Sequence, residues 1–182
     1  MDTREHVVAS ERAFEGRLVK VRVDKVRLPD GRDARREVVE HPGAVAIVAV
    51  LPGPRVVLVR QWRHAAGEEL LEIPAGTLEP DEEPAVCARR ELAEETRMRA
   101  GQMQPLITFF TTPGFTEEKL YTFLATDLAS AEGEADEDEF IHCEEVDWDE
   151  AVAMCLDGRI HDAKTIAAIL AADRFISRDT ES

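Results

Sequence analysis

Apolar and polar positions divide the first part of the chain into a β hairpin and a buried strand. Residues 17–28, RLVKVRVDKVRL, alternate apolar with polar side chains, which predicts a strand with one solvated face. The turn signal at residues 29–31 separates this run from a returning strand at residues 35–40, so we expect an antiparallel hairpin. Residues 44–51, AVAIVAVL, are apolar over the length of a strand and predict a buried central strand.

The rest of the chain mixes short strands with helices. Strand-like runs occupy residues 55–62, 70–74, 103–111, 119–126 and 140–146. Helical runs occupy residues 147–156 and 164–176, and Asp162 is placed to cap the second of them. The acidic segment at residues 129–139, ASAEGEADEDE, contains no core residue and predicts a loop.

A third helix, predicted over residues 84–99, carries an unusual number of carboxylates. Its expected buried stripe consists of Ala85, Ala88, Leu92 and Thr96. Glu91, Glu94 and Glu95 stand at positions i, i+3 and i+4, so they project from one face and repel one another. A hard divalent cation such as Mg²⁺ or Mn²⁺ would remove that repulsion. The alternative is a solvated acidic face without a ligand.

Composition narrows the classes of function. The chain has 182 residues, enough for one domain with a small appendage, and we predict a hairpin region at residues 1–43 and a main domain at residues 44–182. The net charge of −16 argues against broad binding to nucleic acid or to anionic membranes. Three cysteines without CxxC spacing, a polar N-terminus and the absence of a membrane-length apolar run predict a cytoplasmic protein with reduced thiols.

Spacing between the polar residues of this region points to a known family. From Gly76 to Met98 the chain resembles the Nudix box of the Nudix hydrolases, G-x5-E-x7-R-E-U-x-E-E-x-G-U, in which U is aliphatic. The single departure is Arg97, which stands where the family has glycine. Because a left-handed glycine usually ends a helix at that position, we expect the helix to run on and Gly101 to cap it instead.

Residues outside the box resemble one branch of this family, the ADP-ribose pyrophosphatases. These are residues 56–76, VVLVRQWRHAAGEELLEIPAG, the N-terminal hairpin, and Pro113, about fifteen residues after Met98. The resemblance implies an α+β fold, an α/β/α sandwich with a mixed sheet between helices. It also implies Mg²⁺-dependent hydrolysis of ADP-ribose to AMP and ribose 5-phosphate by a metal-activated water.

Two alternatives to this activity remain. The first is hydrolysis of another nucleoside diphosphate derivative, such as a different nucleoside diphosphate sugar, FAD or an oxidised nucleotide. The second is a non-catalytic Nudix fold that senses a ligand. The box itself recognises metals and a diphosphate, so it does not distinguish the base or the sugar.

The resemblance also implies roles for individual residues. The metal ligands would be the backbone carbonyl of Ala75 and the carboxylates of Glu91, Glu95 and Glu139. Glu137 in the acidic segment would be the general base, although its acidic neighbours are alternatives. Glu94 would bind or orient a metal, and Arg90 would hold the carboxylates in register. Glu82 would help to orient them or would be a solvent-exposed carboxylate.

The substrate and a partner subunit complete the implied picture. Arg36 and Arg63 would bind the diphosphate or the adenine, since arginine forks suit phosphate oxygens. Phe14 would stack on the adenine, and Pro113 is counted with the substrate-binding residues. In the family the N-terminal hairpin exchanges with a second subunit, which predicts a homodimer with Phe14 and Arg36 acting in trans.

Overall fold

The computed structural model describes residues 2–131 and 140–179, with side chains described to residue 176. The chain forms two compact units. We call Met1–Gly43 with Phe110–Lys119 the N-terminal unit, and Ala44–Phe109 with Leu120–Ser182 the main unit.

The N-terminal unit contains a three-stranded antiparallel sheet. Its strands are β1 (His6–Glu15), β2 (Lys20–Arg27) and β3 (Asp33–Glu40), in the order β1-β2-β3. The expected hairpin is β2-β3, and β1 is an addition that the sequence did not reveal. Every residue of β1 is exposed and its register shifts at two places, so no alternating apolar face marks it.

A loop from the middle of the chain completes this unit. Val39 of β3 donates its amide to the carbonyl of Phe115 at 2.8 Å, and the Glu117 amide donates to the Val39 carbonyl at 3.3 Å. The Arg22 guanidinium donates to the Glu117 carboxylate at 3.1 Å. Residues 110–119 are therefore fixed against β3 by backbone bonds and by an ion pair.

A mixed sheet forms the centre of the main unit. Its strands are β4 (Ala44–Leu51), β5 (Arg55–Arg63), β6 (Glu68–Glu72), β7 (Ala75–Thr77), β8 (Met98–Phe110), β9 (Lys119–Ser130) and β10 (His142–Asp147). The order is β10-β5-β4-β9-β8, with β6 on β5 and β7 on β4. Strand β4 is parallel to β9 and antiparallel to β5 and β7, which makes the sheet mixed.

Helices cover both faces of this sheet. They are α1 (Pro84–Thr96), α2 (Trp148–Asp157) and α3 (Ala163–Asp179). Alternate residues of β4 join two separate cores: one contains Ala44, Ala46 and Val48 with residues of α2 and α3, and the other contains Val45, Ile47 and Ala49 with residues of α1. The α+β class and the α/β/α sandwich are confirmed.

The buried stripe of helix α1 differs from the expected one at a single residue. Cys87, Ala88, Leu92 and Thr96 are its buried residues. The assignment of Ala85 to the stripe is wrong, since Ala85 is exposed. It lies in the first turn, and burial begins only with the second turn. The helix therefore rests on the sheet through one stripe that runs from Cys87 to Thr96.

The cysteines and the helices bear on the expectations of reduced thiols and of a chain without a membrane-spanning segment. Cys87, Cys143 and Cys155 are free thiols, in agreement with the prediction of reduced cysteines. Among the described residues, no helix combines the length and the apolar character that crossing a membrane requires.

Candidate functional site

The exit of helix α1 is set by Arg97. Its backbone is left-handed, with φ 56° and ψ 34°, and its amide donates to the Ala93 carbonyl at 2.9 Å. The expectation that the helix runs on to a cap at Gly101 is wrong, because Arg97 itself takes the conformation that glycine usually supplies. A non-glycine residue pays about 1 kcal/mol or more for this conformation. The bond to Ala93 and the start of β8 at Met98 offset that cost.

Gly76 allows one carboxylate of α1 to lie directly against strand β7. A Cβ atom built on Gly76 would stand 1.9 Å from Cδ of Glu91 and 2.0 and 2.2 Å from its two oxygens. A side chain at residue 76 would push the Glu91 carboxylate out of this position. Glycine is therefore required here for close approach of the backbone to the Glu91 carboxylate.

The neighbouring residue of β7 binds a second carboxylate of the same helix. The Ala75 amide donates to Oε2 of Glu95 at 3.0 Å. Glu91 and Glu95 are one helical turn apart, so they meet two successive residues of the strand, Gly76 and Ala75. Strand β7 is in turn paired with β4, which fixes it to the central sheet.

Arg90 joins three carboxylates into what we call the carboxylate cluster, formed by Arg90, Glu82, Glu91 and Glu94. Its Nε and Nη2 donate to the two oxygens of Glu82 at 3.0 and 2.9 Å. Its Nη1 donates to Glu91 at 2.7 Å and to Glu94 at 2.9 Å. One guanidinium therefore holds these carboxylates in fixed relative positions.

The charges of the cluster shift its pKa values. The hydrogen bond to Glu82 is the largest influence on Arg90 and, against the opposing effect of burial, raises the pKa of its guanidinium. The hydrogen bond from Arg90 also lowers the pKa of Glu82 to about 2. The Glu82 side chain is only 11% exposed, which excludes the solvent-exposed alternative for it.

The donor chemistry of this region fits a hard divalent cation. Glu91, Glu94 and Glu95 supply carboxylate oxygens on one helix face, and Glu91 and Glu95 lie against the backbone of β7 at Gly76 and Ala75. Within residues 2–131 and 140–179, no three acidic, histidine or cysteine side chains are already gathered as a metal cluster. Glu91 and Glu95 could hold the cation. Glu137 and Glu139 lie outside the described residues.

Arg63, expected at the substrate, is bound by a buried carboxylate. Its Nε and Nη2 donate to the two oxygens of Glu72, each at 2.7 Å, and the Glu72 side chain is 1% exposed. The hydrogen bond to Glu72 is the main cause that raises the pKa of Arg63, and the charge of Glu95 adds to it. Arg63 therefore lies within electrostatic reach of the acidic face of α1.

The N-terminal unit brings together two other residues expected at the substrate. Arg36 and Pro113 line one cavity of about 480 Å³, a volume suited to part of a small molecule. The Arg36 guanidinium is paired there with Glu5, at 3.0 and 2.5 Å. Phe14 is not among the described residues that line the cavity. It is 56% exposed, and its ring lies beside Gly16.

Several charged residues near these sites escaped the sequence analysis. Glu72 was the detectable one, because a glutamate within the apolar run LLEIP is out of place unless it is paired. Lys164, which donates to Glu72, and Glu5, which pairs with Arg36, gave no such signal, since single charged residues in polar stretches of sequence are ordinary.

Comparison with known proteins places this geometry in a family. Residues 40–169 match the NUDIX domain, and residues 5–39 match the nucleoside diphosphate sugar hydrolase N-terminal domain. The chain is 44% identical over 167 residues to a protein of Bacillus methanolicus named methanol dehydrogenase activator, covering 91% of this chain and 90% of the relative. It is 41% identical over 167 residues to the ADP-ribose pyrophosphatase of Bacillus subtilis (strain 168), with the same coverage of both chains.

A solved structure supports the fold independently. The crystal structure of an ADP compounds hydrolase superposes with a TM-score of 0.86, covering 97% of this chain and 96% of that chain at 20% identity. At that identity the likeness supports the architecture alone. The matched domain spans most of the sequence, including the box glycine, the cluster arginine and the helix carboxylates. The chain therefore belongs to the Nudix hydrolase family.

Proposed function

We propose that this chain is a Mg²⁺-dependent ADP-ribose pyrophosphatase that releases AMP and ribose 5-phosphate. The observation that carries the proposal is the contact of Glu91 and Glu95 with Gly76 and Ala75, which presents two carboxylates on a rigid backbone. The 41% identity to a relative named ADP-ribose pyrophosphatase supports the choice of substrate.

The residues of the main unit would divide the chemistry between them. Glu91 and Glu95, with the Ala75 carbonyl, would hold Mg²⁺, while Arg90 keeps the carboxylates in register and Glu94 orients them. Bound Mg²⁺ supplies charge neutralisation at the diphosphate and acidification of water. Arg63 binds diphosphate oxygens through the N–H groups that Glu72 leaves available.

The overall reaction consumes one water. The water oxygen forms a bond to one phosphorus, the bond from that phosphorus to the bridging oxygen breaks, and the water proton passes to a general base. We assign that base to Glu137, with Glu139 as an additional metal ligand. The described residues on either side of this segment lie near the C-terminal end of α1: the Ala131 amide donates to the Arg97 carbonyl at 2.8 Å, and Cys143 Sγ donates to the Glu95 carbonyl at 3.3 Å. Their position supports a base from this segment, and the resemblance to the family supports Glu137 among its acidic residues.

The adenosine part of the substrate would be served by the N-terminal unit. The cavity that contains Arg36 and Pro113 supports a role for both residues, and the exposed ring of Phe14 is available for stacking. We further propose a cytoplasmic homodimer formed through this unit. The exposed strand β1, with Val7 and Val8 uncovered, supports a homodimer. Light scattering, which measures the mass of the protein in solution, tests it.

Release of AMP from ADP-ribose with Mg²⁺ tests the proposal, with Glu95→Gln and Glu137→Gln measured beside the parent chain. Both substitutions should lower kcat at least a hundredfold, because each removes a charge from the reacting centre. Full activity of Glu95→Gln would overturn the site assignment.

A substrate series separates the alternatives within the same chemistry. ADP-ribose, another nucleoside diphosphate sugar, FAD and an oxidised nucleotide should be ranked by kcat/KM. ADP-ribose is expected to rank first. Binding of ADP-ribose without turnover, with both Mg²⁺ and Mn²⁺, would instead favour a ligand sensor.

A further inference from the structure

The buried carboxylate of Glu72 faces two cations. Arg63 binds both of its oxygens, and Lys164 Nζ donates to Oε2. Burial is the largest influence on Glu72 and opposes its ionisation, but the hydrogen bonds and charges of Arg63 and Lys164 together outweigh it and lower its pKa. Glu72 is therefore an anion that both cations keep charged inside the protein.

Lys164 is itself fixed by the start of helix α3. It donates to Oδ2 of Asp162 at 3.0 Å, and the same oxygen accepts from the Thr165 amide at 3.0 Å. The Thr165 hydroxyl also donates to Asp162 at 2.6 Å and accepts from the Ile73 amide at 3.0 Å. The cap of α3 is thus joined directly to the residue that follows Glu72. We call Arg63, Glu72, Lys164 and Asp162 the arginine clamp.

Charge in the arginine clamp is balanced, with two cations and two carboxylates. The bonds from Arg63 to Glu72 use Nε and Nη2, so Nη1 lies outside this pair, and the Arg63 side chain is 41% exposed. This end of the guanidinium is open to an anion. Without Lys164 the clamp would carry a net negative charge around Arg63, and an anionic ligand would bind more weakly.

We propose that Lys164 is a positioning residue for the diphosphate: by neutralising Asp162 and sharing Glu72, it keeps Arg63 oriented and electrostatically available to the phosphate oxygens. Lys164 acts through Arg63 and need not touch the substrate itself. This inference rests on the proposed function, since it assigns Arg63 to the diphosphate.

Substitutions of opposite electrostatic sign test this role. Lys164→Met should raise the KM for ADP-ribose and the Kd for ADP roughly fivefold or more, with kcat within about twofold of the parent. Lys164→Arg should remain near the parent. Asp162→Asn keeps a residue that can cap α3 but removes a negative charge, so it should tighten ADP binding.

The double variant Lys164→Met with Asp162→Asn restores the charge balance and should return both constants towards the parent values. Arg159→Met is the matched control, because it removes one cation that pairs with Asp157 and Glu150 outside the clamp. It should leave KM and Kd unchanged. Thermal midpoints of all variants report whether folding is affected.

Several outcomes would overturn the inference. Unchanged KM and Kd in Lys164→Met would do so. A rise of KM and Kd in Lys164→Arg and in the double variant as large as in Lys164→Met would also do so, because it would indicate a merely structural residue. If Lys164→Met does not fold, Asp162→Asn decides, and ADP binding no tighter than in the parent contradicts the proposal. A parent chain that binds no ADP also contradicts it.

The proposed function can fail separately. Lack of AMP release from ADP-ribose by the parent would overturn the activity, while the order of ADP affinities among the variants still tests Lys164. Conversely, normal turnover with no difference among the variants would overturn only the role of Lys164.

Discussion

The carboxylate cluster and the arginine clamp each contain one arginine, but only the clamp is electrically balanced. In the cluster, Arg90 faces three carboxylates, so a surplus of negative charge remains on the face of α1. In the clamp, Arg63 and Lys164 balance the carboxylates of Glu72 and Asp162, so no surplus of either charge remains. The first arrangement suits a cation and the second leaves an arginine available to an anion. A metal-bound diphosphate requires both in one site.

The difference also concerns how each arginine is held. Arg90 uses its fork to fix the positions of other groups, while Arg63 is the group that is fixed. Substitution of Arg90 should therefore disturb the positions of the cluster carboxylates and the stability of the fold. A change in the clamp should instead alter the affinity for a diphosphate ligand.

The largest effect is expected from Gly76→Ala. The added Cβ would displace the Glu91 carboxylate from its position against β7, and kcat should fall roughly a hundredfold because the carboxylate must move by an ångström or more. Steady-state kinetics with ADP-ribose measure this. Adding Glu91→Ala to Gly76→Ala removes the clash, so it should restore the thermal midpoint without restoring activity. A fully active Gly76→Ala would show that the contact is not needed.

Arg90→Met tests the surplus of negative charge in the cluster. Loss of the charged hydrogen bonds should lower the free energy of unfolding by about 2 kcal/mol. Because the remaining carboxylates repel one another, Mg²⁺ should recover more stability in this variant than in the parent. Urea unfolding with and without Mg²⁺ measures both quantities. Arg90→Lys keeps the charge but not the fork and should be intermediate; identical gains from Mg²⁺ in all three proteins would refute the electrostatic account.

A smaller effect should appear in the pH dependence of stability. The pKa of Glu82 is lowered from 4.5 to about 2 in the folded chain, so its contribution to stability is complete above pH 4.5 and is lost as pH falls towards 2. Glu82→Gln should make the loss of stability over this interval shallower. Denaturant midpoints across pH 2 to 6 report the slope. The same slope in both proteins would mean that the pairing with Arg90 is weak in solution.

The smallest effect is expected at the end of α1. Arg97→Gly removes the free-energy cost of a left-handed backbone at a residue that carries a Cβ atom. The greater backbone entropy of glycine in the unfolded chain partly offsets this gain. The thermal midpoint should rise by about 2 °C, with kcat/KM unchanged. A lower midpoint would show that the Arg97 side chain contributes to the exit of the helix beyond its backbone.

The sequence predicted the main unit well because its elements carry strong patterns. The continuous apolar run of β4 is typical of a buried strand, and the structure divides its alternate residues between two cores. The spacing of Glu91 and Glu95 likewise sets their shared helix face before any tertiary contact is known.

Other features depend on contacts that a local pattern does not contain. Strand β1 is exposed along its whole length, so it lacks the period of a half-buried strand. The left-handed backbone of Arg97 is stabilised by a bond to Ala93 and by the strand that follows it. The role of Lys164 depends on its contact with Glu72, which lies 92 residues earlier in the chain.

That separation has a consequence for biosynthesis. Arg63 and Glu72 leave the ribosome together, but the lysine and the α3 cap that fix them are translated later. A nascent chain that has already formed β5 and β6 would hold the Glu72 carboxylate with one cation instead of two. Arg63 can therefore reach its final state only after synthesis has passed residue 165, even though every metal ligand proposed in β7 and α1 has been available since residue 95.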